Sequence, residues 1–162
     1  EQPVRQALEP LRQKISDDWW NRIEQQLDGA TTRSLARQIS SLMVFDWVAT
    51  NWDRFSNFEE YYGVNNQFAD GHFVSIDNGA AFAYNDFGEV MARFSDVQRY
   101  SRQTIASLRA LDRDTMNPIL FPNPTDRGKK RLRRFWAQRS RLLERIANLR
   151  TEYGTNTVMA FE

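Results

Sequence analysis

Apolar positions recur at helical spacing over much of this chain. Val4, Leu8, Leu11, Ile15, Trp19, Ile23 and Leu27 share one face at a period of 3.6 residues and predict a first helix. Pro10 starts a new turn in it or kinks it near its beginning. Gly29 is the C-cap candidate, with Thr31 or Thr32 as the next N-cap. From Ser34 to about Thr50, Leu35, Ile39, Leu42, Met43 and Val48 predict a largely buried second helix that stops at Asn51-Trp52-Asp53. Val97, Tyr100, Ile105, Leu108 and Leu111 predict a third, capped by Ser95 or Asp96. A broad face of Leu132, Phe135, Trp136, Leu142, Leu143, Ile146 and Leu149 predicts a long last helix over 126–152, with Asp126 as its cap.

Between the second and third helices the helical period lapses. Residues 59–72 read as an irregular connection with turn signals at Asn65-Asn66 and Asp70-Gly71. "HFVSI", from His72 to Ile76, is a short β-type run bounded by Asp70-Gly71 and Asn78-Gly79. "GAAFAYNDFGEV" reads as loop or weak strand, and "NPILFPNPTD" as a proline-rich connection. Neither an internal repeat nor a low-complexity segment is present. The expectation is a single domain over 1–162, mainly α with a small β element.

Composition narrows the function classes. A length of 162 residues suits one domain that buries about two-thirds of its unfolded surface. Hydrophobic residues at 41% and charged ones at 27% fit a globular protein and not a disordered one. Apolar runs fall short of the roughly 18 residues of a membrane span. Zero cysteines exclude a disulfide scaffold and thiolate metal sites, and leave the compartment open. One histidine, His72, rules out a multi-histidine zinc site, and its position predicts a solvent-facing turn residue. The five tryptophans, Trp19, Trp20, Trp47, Trp52 and Trp136, sit at helical spacings that suit a core. An opening residue of Glu1 leaves room for a signal peptide already removed.

Charge is unevenly spread although the net value is +1. Residues 127–150 hold ten Lys or Arg and one acid, Glu144, so the remainder has 12 of the 22 bases and 20 of the 21 acids, a balance of −8. Residues 46–89 contain eight acids and one Lys or Arg, Arg54. The basic run reads first as an amphipathic helix with a solvated cationic face. The same charges could serve an acidic protein partner, a membrane surface or nucleic acid, and the acidic centre argues against the last.

Two apolar elements each deliver an aspartate at their ends: "FDWVATNWDRFSN", Phe45 to Asn57, and "FVSIDNG", Phe73 to Gly79. Phosphoryl transfer asks for this kind of pairing. One carboxylate orients or accepts the proton of the attacking hydroxyl, and another, with amide oxygens, holds a hard divalent cation on the phosphates. A loop after a helix for the first and the end of a short strand for the second is the protein-kinase arrangement.

With these residues the chain resembles the atypical secretory-pathway kinases, the Four-jointed and Golgi casein kinase group, over roughly residues 35–111. "FDWVATNWDR" and the terminal Ser-Asn resemble the Four-jointed branch; "IDNGAAF" resembles the casein kinase branch. The resemblance implies a protein-kinase-like C-terminal lobe with its catalytic segment at about 45–90. It implies Asp53 as catalytic carboxylate, Arg54 as the residue that pins its loop, and Asp77 as metal ligand with Asn57 as a second. Asn51, Asn57 and Asn78 would support the nucleotide, and the cofactor would be Mg²⁺ or Mn²⁺ with ATP. The acceptor would be a protein Ser/Thr or a sugar hydroxyl.

Departures accompany it. Phe55 stands where many relatives have His, and Asn57 follows Asp53 by four positions where the kinase loop has five. Neither a Gly-rich loop nor a Val-Ala-Ile-Lys-like strand precedes the second helix. The expected partner is therefore the missing N-lobe, from the same precursor or another chain. The alternative is a non-catalytic, lobe-shaped interaction module that binds a partner through its basic helix. A secreted or periplasmic location is what the resemblance implies; the absence of cysteine is equally compatible with cytoplasm.

Overall fold

The computed structural model describes residues 29–51, 66–69, 72–83 and 97–162. The helix expected over 4–27 lies outside them. Five helices and one hairpin make up the described parts: α1 (Gly29–Ala49), β1 (Asn66–Ala69), β2 (His72–Ser75), α2 (Arg102–Ala110), α3 (Arg113–Leu120), α4 (Asp126–Tyr153) and α5 (Thr155–Val158). The protein is mainly α with a small β element, as the periodicity predicts. None of these helices is long and apolar enough to cross a membrane.

α1 and α4 form the frame. On α1, Leu35, Ile39, Met43 and Val48 are buried, as their spacing requires, and so are Ala36 and Val44. On α4, Leu132 is buried, and Phe135, Trp136, Leu142, Ile146 and Leu149 form one cluster with Val44 and Val48 of α1 and with Tyr100, Ile105, Leu108, Val158 and Met159. Trp47 donates its indole N–H to the Gln138 carbonyl at 3.0 Å, which fixes the C-terminal half of α1 against the middle of α4. Trp136 is buried and donates to Asn117 Oδ1 at 2.8 Å.

Where the local signals were read differently, pairing or capping explains the outcome. α2 begins at Arg102 with Ser101 as cap, its hydroxyl accepting from the Thr104 amide. Tyr100 lies before the helix because the backbone there pairs with the end of the chain: the Tyr100 amide donates to the Val158 carbonyl, and the Arg102 amide to the Phe161 carbonyl. α4 is capped by Thr125, whose hydroxyl accepts from the Gly128 amide, and Asp126 is its first residue. Half of the proline-rich connection is helical: α3 carries Pro118 inside it, started by the Asp112 carboxylate accepting from the Thr115 amide. β1 falls in the stretch read as irregular and pairs antiparallel with β2, Asn66 opposite Ser75 and Ala69 opposite His72. His72 is exposed there.

The start of α4 breaks the usual charge rules. Arg127 lies one turn from Lys130 and Arg131, Lys129 from Arg133, Lys130 from Arg133 and Arg134, and Arg131 from Arg134. Each such like-charge pair costs a helix about 0.2–0.5 kcal/mol. They also crowd the end where the helix dipole favours anions.

Candidate functional site

α1 ends in a way that places a polar group inside the protein. Thr50 takes a positive φ of 51°, which turns the chain out of the helix. The Asn51 amide then bonds back to the Asp46 carbonyl at 2.9 Å. The Asn51 side chain is buried at 1% exposure beside Asp46, buried at 0%. Its Nδ2 donates to Asp46 Oδ1 at 3.0 Å. A buried carboxylate at the end of an apolar helix demands such donors, since an unpaired one is strongly unfavourable.

The turn after β2 meets this end. Asn51 Nδ2 lies 3.5 Å from Asn78 Oδ1, which also accepts the Ser75 hydroxyl at 2.8 Å. The Phe82 amide donates to the Ala49 carbonyl at 2.6 Å, so one of the last carbonyls of α1 is satisfied from across the fold. Asp77 has a φ of 46° and Phe82 one of 61°. Asp77 is exposed, and one of its carboxylate oxygens faces the Gly79 amide at 3.4 Å. A Cβ at position 79 would stand 3.2 Å from that oxygen, so the absence of a side chain keeps the carboxylate approachable. Phe82 anchors the turn by edge contact with Phe121, ring centres 5.9 Å apart, and by tilted contact with Phe135 at 6.0 Å.

One atom in this cluster is left over. Asn51 Oδ1 is buried without a hydrogen-bond partner. A buried amide oxygen normally has one, so this atom is the exception in an otherwise paired cluster.

Asn51, Asp77 and Asn78 are thus the sequence-predicted site residues that the described fold brings together, 26 and 27 positions apart in the chain. Asp53, Arg54 and Asn57 lie outside the described residues, as do Trp19, Trp20 and Trp52. Asp46 and Ser75 belong to the cluster without having been singled out. Asp46 is the more instructive: an acid in the apolar run "MVFDWVA" is visible in sequence and requires a buried donor. Among the described residues, no three His, Cys, Asp or Glu side chains gather as a metal site. The exposed oxygen donor here is the Asp77 carboxylate, whereas Asn78 Oδ1 already accepts from Ser75 and Asn51 and Asn51 Oδ1 is buried.

Ser75 also lines an open cleft of about 370 Å³ between α1 and the start of α2. Arg37, Gln38, Ser41, Gln103 and Thr104 are its polar walls. The Ser41 and Thr104 hydroxyls bond across it at 2.7 Å. Comparison with known proteins yields no matching family model, curated protein or solved structure.

Proposed function

We propose that the protein is the C-terminal lobe of an atypical, Four-jointed-like kinase that transfers the γ-phosphoryl group of ATP to a protein Ser/Thr or sugar hydroxyl. The observation that carries this reading is the meeting of the α1 terminus with the turn after β2. There Asn51, with its partnerless buried Oδ1, lies against Asn78, the chain neighbour of the exposed Asp77. Asn51 is the last described residue before the segment that resembles the kinase catalytic loop, and Asn78 belongs to the one that resembles the metal-binding turn.

In this reading the Asp53 carboxylate takes the acceptor hydroxyl's proton as the new O–P bond forms and the bridging bond to the β-phosphate breaks. Arg54 holds its loop. Asp77 and Asn57 would hold Mg²⁺ or Mn²⁺, which would neutralise the phosphate charge. Asn51 and Asn78 fix the turn that presents Asp77. The cleft beside Ser75, lined by hydroxyls and amides, suits a polar acceptor. A nucleotide-binding N-lobe is the expected partner, covering the triphosphate and offering a Lys to it.

The test is calorimetric titration of the 162-residue chain with ATP in the presence and absence of Mn²⁺. Heat that requires the metal is expected, and Asp77→Ala should remove it while leaving the far-ultraviolet circular dichroism unchanged. Equal heats with and without metal, or full binding by Asp77→Ala, would overturn the assignment.

A further inference from the structure

We infer that the outward face of α4 is a docking strip for an acidic, extended segment of a partner protein. The inference goes beyond phosphotransfer and does not depend on it.

Arg127, Lys129, Lys130, Arg133 and Arg141 are all exposed, outside the arc of α4 that its buried residues occupy: Lys130, Arg133 and Arg141 lie opposite that arc, and Arg127 and Lys129 at its two edges. Ala137 and Ser140, also exposed, leave the strip low between its cations. At a rise of 1.5 Å per residue, the strip from 127 to 141 runs about 21 Å. The acids along it stand at its ends: Asp126, within 3.4 Å of Lys129, and Glu144.

Other cations of α4 are occupied by the fold. Arg139 donates to the Leu108 and Arg109 carbonyls at the end of α2, and its guanidinium lies over the Trp136 ring. Arg134 and Arg145 have partners as well. Apart from Lys129, which reaches Asp126, the exposed cations of the strip serve no such internal purpose. Solvation alone is a poor account of it, because alternating Glu and Lys would solvate the helix equally and stabilise it. This run instead weakens the first turns of α4 through like-charge neighbours. A local rule broken without a compensating contact is the mark of a functional surface.

The chemistry of the strip selects among polyanions. No aromatic or large apolar side chain emerges between its cations, so it has nothing to insert into a bilayer or to stack on unpaired bases. A nucleic-acid duplex is wider than the strip, and the rest of the chain carries a balance of −8 that opposes the long-range attraction of a polyphosphate. An extended polypeptide of about six residues matches the 21 Å length at roughly 3.5 Å per residue, and its carboxylates can meet the cations in turn.

The experiment uses fluorescence anisotropy of the whole chain with a labelled eight-residue Glu-rich peptide, its Gln counterpart, duplex DNA and anionic phosphatidylserine vesicles. The Glu peptide is expected to bind at least about tenfold more tightly than the Gln peptide, and to weaken when salt rises from about 50 to about 200 mM. Combined Lys130→Glu, Arg133→Glu and Arg141→Glu should lower its affinity by about tenfold or more, and the Gln versions of the same substitutions by less. The reversed variant should unfold at the same or a higher temperature, because it relieves the like-charge neighbours; that separates lost docking from lost fold. Equal affinity for the two peptides, undiminished affinity in the reversed variant, or tighter binding of DNA or vesicles would each overturn the inference.

Discussion

Exchanging the polar partners at the end of α1 tests the core of the candidate site. Asp46 and Asn51 are both buried, with Asn51 Nδ2 3.0 Å from Asp46 Oδ1. A hydrogen bond to a charged group contributes about 1.5–3 kcal/mol. Asp46→Asn keeps an acceptor for Nδ2 and discards the charge, so its cost should be about 1–2 kcal/mol. Asn51→Asp removes the donor and sets a second carboxylate against the first. At that separation two like charges repel by about 5 kcal/mol in an effective dielectric of 20, and uptake of a proton limits the penalty. The expected loss at pH 7 is about 3–5 kcal/mol. The combined exchange, Asp46→Asn with Asn51→Asp, restores one carboxylate and one amide, and should be more stable than Asn51→Asp by about 2 kcal/mol or more.

Urea unfolding followed by circular dichroism measures all four proteins. The pH dependence adds an independent check. In Asn51→Asp the carboxyl pair has a folded-state pKa above its unfolded value. Its proton therefore stabilises the fold fully below the unfolded value, about 4, and that contribution is lost as pH rises through the folded value. The deficit against wild type should shrink between pH 7 and pH 5. Equal stabilities of Asn51→Asp and Asp46→Asn, or an exchange no better than Asn51→Asp, would refute a buried, charge-assisted pair.

Two further outcomes follow from named contacts. Arg139→Lys replaces a guanidinium that reaches two carbonyls, Leu108 at 2.8 Å and Arg109 at 2.7 Å, with a single ammonium point; thermal or urea unfolding should show a loss of about 1–2 kcal/mol. Tyr100→Phe removes the hydroxyl that donates to the Val97 carbonyl at 2.6 Å and should cost about 1–2 kcal/mol at pH 7. Burial pushes the Tyr100 phenol above its ordinary value of 10, against the opposing pull of Arg145. Its contribution is complete below pH 10 and lost as pH climbs through the raised value, so wild type should lose its advantage over Tyr100→Phe in alkaline solution, with phenolate absorbance as the direct readout.

The frame was legible because burial and helical period coincide. Leu35, Ile39, Met43 and Val48 on α1, and Leu132, Phe135, Trp136, Leu142, Ile146 and Leu149 on α4, face the core as their spacing demands. What escaped is non-local. β1 has four residues, Asn66 to Ala69, with one large apolar side chain and no alternation, and it is a strand because β2 pairs with it. The start of α2 was misplaced because the Tyr100 backbone bonds to Val158 and Phe161, near the end of the chain. At the site, Asp77 and Asn78 were visible from the turn signal after an apolar run. That Asp46 needs a buried donor was visible too, but that Asn51 is that donor was not, because nothing local reveals which polar residue a helix end will enclose.

Strain gathers at the same place as the unsatisfied polarity. Thr50, Asp77 and Phe82 are the non-glycine residues with positive φ among the described residues. Such a conformation costs an L-residue about 1–2 kcal/mol, and a β-branched residue such as Thr50 is especially ill suited to it. Thr50 sets Asn51 against Asp46, Asp77 opens its carboxylate to solvent, and Phe82 both satisfies Ala49 and packs on α4. The aromatic contacts of Phe82 and the Trp47 bond to Gln138 hold both segments to one rigid helix, so the strain cannot relax by letting either drift. The positive φ of Thr50 caps the end of α1, where the Asn51 amide closes on the Asp46 carbonyl, and those of Asp77 and Phe82 shape the turn after β2. The residues with positive φ thus stand where the end of α1 meets the turn after β2, and the packing of Phe82 and Trp47 on the frame keeps that junction in one arrangement.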